Sequence, residues 1–274
     1  MTPKLIALDL DETTLNRDSR LSAADRAAME RAIAKGVEIV VATGRPFGSV
    51  PQEIRTFPGI RYAITGNGAA VHDLGNGQAL QRYLLPKEAV EKILDLTWGE
   101  NLTYEAFIQG IAYAQADYIA APERFLADAQ TKVYTQSTRH PVADITAFIR
   151  HHEAELDSLD LVVGDMDTKR RMMERVQQAG EIYITTSVPR LVELSHAQGG
   201  KHRGLQFLAE RLGIDQKDTA AFGNGDNDAE MLRWAGTGVA VRNASEGCLA
   251  AADAVTDAYW ESGVAQAFAT LFGI

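Results

Sequence analysis

The chain has 274 residues, 46% of them hydrophobic, a formal net charge of −10 and a single cysteine, Cys248. That composition can bury one large core or two smaller ones, and an acidic balance without a basic run excludes a general nucleic-acid or anionic-membrane surface, though not a small anionic substrate held by a few local donors. One cysteine excludes an intramolecular disulfide framework and a multi-cysteine zinc site; the opening MTPKLIALDLDE is too briefly apolar for a signal peptide, and no stretch reaches the ~20 apolar residues of a membrane span, so a soluble cytoplasmic protein is expected.

Residues 4–10 predict a strand. A strand buried on both faces should be apolar throughout, yet this run ends in two like charges, Asp9 and Asp11. The stretch LSAADRAAMERAIAKG predicts a helix, with Ser22 as N-cap, Asp25 three residues later, Leu21, Met29 and Ile33 on the apolar face and Gly36 as the stop. VEIVVATGR is the next strand, which completes a strand–helix–strand unit of a parallel sheet, and RYAITGNGAAVHD predicts a further strand and turn. The middle reads differently. LTYEAFIQGIAYAQADYI predicts two strands around Gln109-Gly110, DITAFIRHHEAEL a helix, LDLVVGD a strand, DTKRRMMERVQQAG a helix and EIYITTSVPRLVELSHA two strands around Pro189. Its aromatics, Trp98, Tyr104, Phe107, Tyr113 and Tyr118, are assigned to a core. KHRGLQFLAERLG, TAAFGNGDND, AEMLRWAG and TGVAV then return to the α/β pattern. The fold class is α/β: a Rossmann-like parallel-sheet core formed by residues 1–82 and 188–274, with residues 83–187 inserted as an α+β domain.

Ligands of open parallel sheets bind at the carboxyl ends of the strands. Four polar clusters fall there: Asp9 to Thr13, Thr43-Gly44-Arg45, Lys201 near a helix start, and Gly223 to Asp228. Two carboxylates, a hydroxyl, a lysine and an amide suit phosphoryl transfer through a carboxylate. One Asp attacks phosphorus, a second protonates the leaving group, magnesium lets the two anions approach, and lysine and hydroxyl hold the phosphate oxygens. The six histidines show no helical metal-ligand spacing, GNGDND lacks the spacing and terminal Glu of a calcium loop, and GNG at 66–68 and 75–77 predict turns.

The order DxDxT, T-G-R, Lys, GNxxND resembles the haloacid dehalogenase superfamily of phosphatases, and LDLDETTLNRDSRLS, GVEIVVATGR and ITGNGA resemble its Cof-like branch with a large cap. The resemblance implies that Asp9 is the nucleophile, forming an aspartyl-phosphate, and Asp11 the general acid and then base. Haloacid dehalogenases proper lack the second acid, so Asp11 favours phosphoester chemistry. Thr13 braces the loop. Thr43, Gly44, Arg45, Lys201 and Asn227 hold the phosphate, and Asp9, Asp11, Asn224 and Asp228 hold Mg2+. The catalytic set is Asp9, Asp11, Thr43 and Lys201, and the cap supplies specificity. Three residues depart from the pattern: His202 follows the lysine, Glu12 replaces a glycine, and Asn224 replaces an Asp that ligates magnesium. Glu12 or Asp226 is a candidate to restore the missing charge. The implied function is Mg-dependent hydrolysis of a small phosphorylated metabolite, a sugar phosphate or cofactor-type phosphate, by a monomer or homodimer with no nucleic-acid or membrane partner. The alternatives are a phosphomutase of the same superfamily and a catalytically weak phosphometabolite-binding regulator.

Overall fold

Strand β1 (Leu5–Asp9) is buried along its whole length. Ile6 and Leu8 enter one apolar cluster with Met29, Ile39 and Phe268, while Leu5 and Ala7 enter another with Val40, Leu205 and Leu232. Helices cover both faces of such a strand, so its apolar run is unbroken rather than alternating. The structure, a computed structural model, describes residues 2–274.

After β1 come β2 (Glu38–Ala42), β3 (Tyr62–Thr65), β4 (Ala70–Asp73) and β5 (Ala79–Arg82). They are followed by β6 (Leu102–Ile108), β7 (Ile111–Gln115), β8 (Arg139–Val142), β9 (Leu156–Val163), β10 (Ile182–Thr185) and β11 (Leu191–His196), and then by β12 (Thr219–Gly223), β13 (Thr237–Val241) and β14 (Ala254–Thr256). The described residues divide into two compact units, one of residues up to 44, 50–81 and 200–274, the other of residues 45–49 and 82–199.

The first unit carries an eight-stranded sheet in the order β14-β13-β12-β1-β2-β3-β4-β5. Pairing is parallel from β14 through β3, and β4 runs antiparallel to β3. Helix Ala23–Ala34 forms as the sequence predicts: the Ser22 hydroxyl accepts the Asp25 N–H at 3.0 Å and donates to the Asp25 carboxylate at 2.7 Å. Gly36, with φ 82, turns the chain just past its end.

The second unit is α+β. Its six-stranded sheet has the order β10-β11-β9-β6-β7-β8 and is antiparallel except for β7 with β8. Gln109 and Gly110, with φ 51 and 74, make the two-residue hairpin between β6 and β7. Three features differ from the sequence reading. The second boundary lies at Gly199/Gly200 rather than 187/188, because β11 pairs with β9 and β10 in this unit's sheet. Tyr118 and Ile119 lie on a short helix, Ala116–Ala120, not a strand, and a helix at Ala129–Thr138 precedes β8. Trp98 is 78% exposed, whereas Tyr104, Phe107 and Tyr118 are buried. Among the described residues no helix is long and apolar enough to cross a membrane.

Candidate active site

The parallel register brings three of the sequence-predicted loops to the carboxyl ends of adjacent strands in the first sheet. Asp9 is aligned with Ala42 on β2, one residue before Thr43, and Leu8 with Phe222 on β12, two residues before Asn224. Asp9 is 5% exposed. Its Oδ1 accepts from Lys201 Nζ at 2.7 Å, and the same ammonium donates to Asp228 Oδ1 at 2.6 Å. Lys201 opens helix Lys201–Leu212, is 1% exposed, and is thereby a buried cation between two carboxylates. Asp228 Oδ2 accepts the N–H groups of Asn224, at 3.0 Å, and Gly225, at 2.9 Å, so both its oxygens are engaged.

Charge and burial set the protonation states. Burial, reinforced by the Asp228 charge and opposed by Lys201, pushes Asp9 up to about 7. Burial pulls Lys201 down, but the charges of Asp228 and Asp9 outweigh it and hold the ammonium well above its ordinary range. Burial, then the charges of Asp228 and Asp9, raise the Cys248 thiol far out of reach of neutral pH, so the chain's one thiol is no competing nucleophile.

The loop after β1 is tied to the strand by its own backbone. Leu10 C=O accepts the N–H groups of Thr13, Thr14 and Leu15 at 3.4, 3.1 and 2.7 Å. Thr13, expected to brace the loop through its backbone, supplies one of those N–H groups, and its hydroxyl donates to Asn224 Oδ1 at 3.2 Å; Thr14 adds a hydroxyl bond to the Asp9 carbonyl at 2.6 Å. Glu12 adopts φ 55, the left-handed backbone a glycine would adopt without strain. Asp11 is exposed in this loop and bridges to Leu15.

Thr43 is fully buried, with its N–H donated to the Ile64 carbonyl at 2.9 Å and its own carbonyl accepting the Asn67 N–H at 3.0 Å. Asn227 donates from Nδ2 to Asn67 Oδ1 at 2.9 Å. Asn67 is the site residue that the sequence reading missed, because a glycine-flanked Asn signals only a turn. Gly44 ends the segment that carries Thr43, while Arg45 belongs to the second unit. There its guanidinium lies 4.8 Å from the Tyr134 ring centroid and donates to the Ser49 carbonyl at 3.1 Å. His202 stands 3.3 Å from the Glu230 carboxylate, and burial lowers its pKa.

The donors suit a hard cation. Asp9 Oδ2 is buried without a hydrogen-bond partner, the deficiency that a bound cation would fill, and Asn224 Oδ1, which accepts the Thr13 hydroxyl, is an amide oxygen of the kind a hard cation takes. No group of three or more His, Cys, Asp or Glu among the described residues forms a metal cluster by side chains alone. Neither acid proposed to restore the charge missing at residue 224 is uncommitted: Glu12 pairs with Arg17 at 2.9 Å, and Asp226 accepts from the Ser245 hydroxyl at 2.6 Å.

A buried carboxylate and lysine at the carboxyl end of a central parallel strand, in a chain that interrupts that sheet with an α+β unit, are the marks of a capped α/β hydrolase. Comparison with known proteins narrows the class: residues 6–268 match the haloacid dehalogenase-like hydrolase family, and the chain belongs to it. It is 31% identical to Phosphatase YwpJ of Bacillus subtilis, over 96% of this chain and 98% of that one. It is 28% identical to the B. subtilis 5-amino-6-(5-phospho-D-ribitylamino)uracil phosphatase YwtE, over 96% of each chain. A solved haloacid dehalogenase-like hydrolase from B. subtilis superposes with a TM-score of 0.83 at 30% identity, covering 98% of this chain and 99% of that one. The protein is an enzyme, a phosphatase of this family.

Proposed function

We propose that the protein hydrolyses a small phosphorylated metabolite through an aspartyl-phosphate on Asp9, with Mg2+ as cofactor. The observation that carries this reading is the state of the Asp9 carboxylate. It is buried at a strand end, bonded to Lys201 through one oxygen and left without a partner at the other. The Asp9 carboxylate attacks phosphorus and the ester oxygen leaves with a proton from Asp11. Asp11 then takes a proton from water as the water's oxygen attacks phosphorus, which releases phosphate and restores Asp9. Lys201 balances the charge of Asp9 and of the phosphate oxygens, and the Thr43 hydroxyl and Gly44 N–H hold those oxygens. Asp9, Asp11 and Asn224 would hold the magnesium, with Asp228 fixing the Asn224 backbone; the bound ion supplies positive charge that keeps Asp9 ionised and screens it from the anionic phosphate. The named substrate of one relative, a phosphorylated ribitylaminouracil, is a small polar phosphate ester, which supports that substrate class. We assign the choice among such esters to the second unit.

The test is phosphate release from a panel of sugar, nucleotide and cofactor phosphates, with and without magnesium, in wild type and Asp9→Asn. The expected result is magnesium-dependent release that the variant lacks. An isomeric phosphate as product would establish a mutase, and release that survives in Asp9→Asn would remove the nucleophile.

A further inference from the structure

Asn67 lies in the turn after β3 with φ 52, a left-handed backbone that few residues other than glycine adopt and asparagine adopts more readily than most. It is 6% exposed. From it, hydrogen bonds run to three loops that are far apart in sequence. Its N–H donates to the Thr43 carbonyl at 3.0 Å, its carbonyl accepts the Gly200 N–H at 2.8 Å, and its Oδ1 accepts Asn227 Nδ2 at 2.9 Å. Those loops carry Thr43, Lys201 and the Asn227-Asp228 pair.

The packing around the turn leaves little slack. A Cβ on Gly68 would stand 2.2 Å from the Gly200 carbonyl oxygen, so the two backbones are in direct contact just ahead of Lys201. A Cβ on Gly204 would stand 2.6 Å from Ile64 Cγ2, so the first turns of the Lys201 helix are seated on β3 as well. We infer that Asn67 is a positioning residue for phosphoryl transfer, setting the Lys201 and Asp228 loops in register with the Thr43 loop through its bonds to Thr43, Gly200 and Asn227. This inference rests on the function proposed above. Lys201 bonds Asp9 and Asp228 at once, so a shift of either loop alone breaks one of the two contacts. Misplacement of about 1 Å in such a constellation costs roughly 10²-fold in rate.

The test uses Asn67→Gly, which suits the left-handed backbone and deletes the side chain with its Oδ1 acceptor, together with Asn227→Ala and the double variant. Rates are normalised to the folded fraction measured by circular dichroism. Asn67→Gly is expected to lower kcat by about 10- to 100-fold with KM within about threefold of wild type. The double variant should be no worse than the weaker single variant by more than about threefold, because both changes cut the same link. A loss confined to KM, additive losses, or a kcat within about threefold of wild type would overturn the assignment. Amide hydrogen exchange is read in parallel. Asn67→Gly should speed exchange at Gly200 and Asp228 by about tenfold or more, and unchanged exchange there would refute the coupling. If the wild type releases no phosphate from the panel, the proposed function fails while exchange still decides the coupling of the loops.

Discussion

In the first unit Asp9, Lys201 and Asp228 meet where strands end; in the second, Glu105, Asp160 and Glu193 stand in mid-strand on β6, β9 and β11. The register places Glu105 opposite Asp160 and Asp160 opposite Glu193, so three carboxylates form one row across the sheet. All three are buried, as are Arg139 and Arg190. Glu105 has both oxygens engaged, one by the Tyr118 hydroxyl at 2.9 Å and the other by Arg139. Burial alone would raise Glu105, but Arg139 outweighs it and holds the carboxyl below its ordinary range. Asp160 is raised well above its range, by burial first and then by Glu193 and Glu105. Asp9 resembles Asp160 in being raised and differs from Glu105 in keeping an oxygen without a partner. A buried acid closed on all sides holds a fold together. Asp9, left half open at a strand end, is the acid proposed above as the nucleophile.

The comparison breaks if acids of the two clusters respond alike to substitution. Asp9→Asn should lower kcat by about 10⁴-fold or more while the unfolding midpoint stays or rises, since a buried carboxyl becomes a neutral amide. Single-turnover assays and thermal melts of the same preparations measure both. Arg139→Met leaves Glu105 buried without its cation and should cost about 3–5 kcal/mol in urea unfolding of the full chain. Glu105→Met in the same chain should recover most of that loss; a double variant as unstable as Arg139→Met would show that packing, not charge, is what Arg139 supplies.

Asp160 sharpens the contrast through pH. Its folded pKa lies above its unfolded value, so the native state binds the proton more tightly, and stability is lost as pH rises from the ordinary carboxyl range through the folded pKa. Asp160→Asn should remove that decline, read from unfolding curves between pH 4 and 9. Parallel curves for the two proteins would place the titration elsewhere. The smallest effect concerns Asn224. Because Glu12 and Asp226 are held by Arg17 and Ser245, Asn224→Asp alone should tighten magnesium, by up to about tenfold or ~1.4 kcal/mol. Magnesium titration of activity measures it, and an unmoved midpoint would take residue 224 out of the ligand set.

The two clusters were unequally legible in the sequence. Asp9 stands out because it breaks a run that burial on both faces keeps apolar. Lys201, an unremarked lysine by itself, becomes visible through its place before a helix in the order of the four clusters. The acids of the second unit are hidden by their own regularity. In LTYEAFI, LDSLDLVV and LVELSH the pairs Thr103 and Glu105, Ser158 and Asp160, and Glu193 and Ser195 are each split by one apolar residue, an alternation that reads as the solvent side of a sheet. The side is in fact covered: Ala114, Tyr118, Val162 and Leu191 pack there with Ile119 and Phe125. The helix Ala129–Thr138 that supplies Tyr134 was missed because AQTKVYTQST has no apolar stripe. Asn67 escaped for another reason. Two of its three bonds are made by backbone atoms, which carry no side-chain signature.

The pairing of β1 with β12 has a further consequence, in the order of synthesis. Lys4 and Asp218, joined by an ion pair at 2.7 Å beside that pairing, are 214 residues apart. At ~5–20 residues per second a ribosome takes roughly 10–40 s to make the intervening chain. The whole inserted unit emerges in that interval and has every strand of its sheet available, while β1 waits with one edge unpaired. The nascent first half is therefore an open sheet with the wholly buried strand β1 at its edge, a geometry prone to pair with a neighbouring chain. Asp9 and Thr43 are made before Lys201 and Asp228, so the buried Asp9–Lys201–Asp228 contacts form only after β12 has been synthesised.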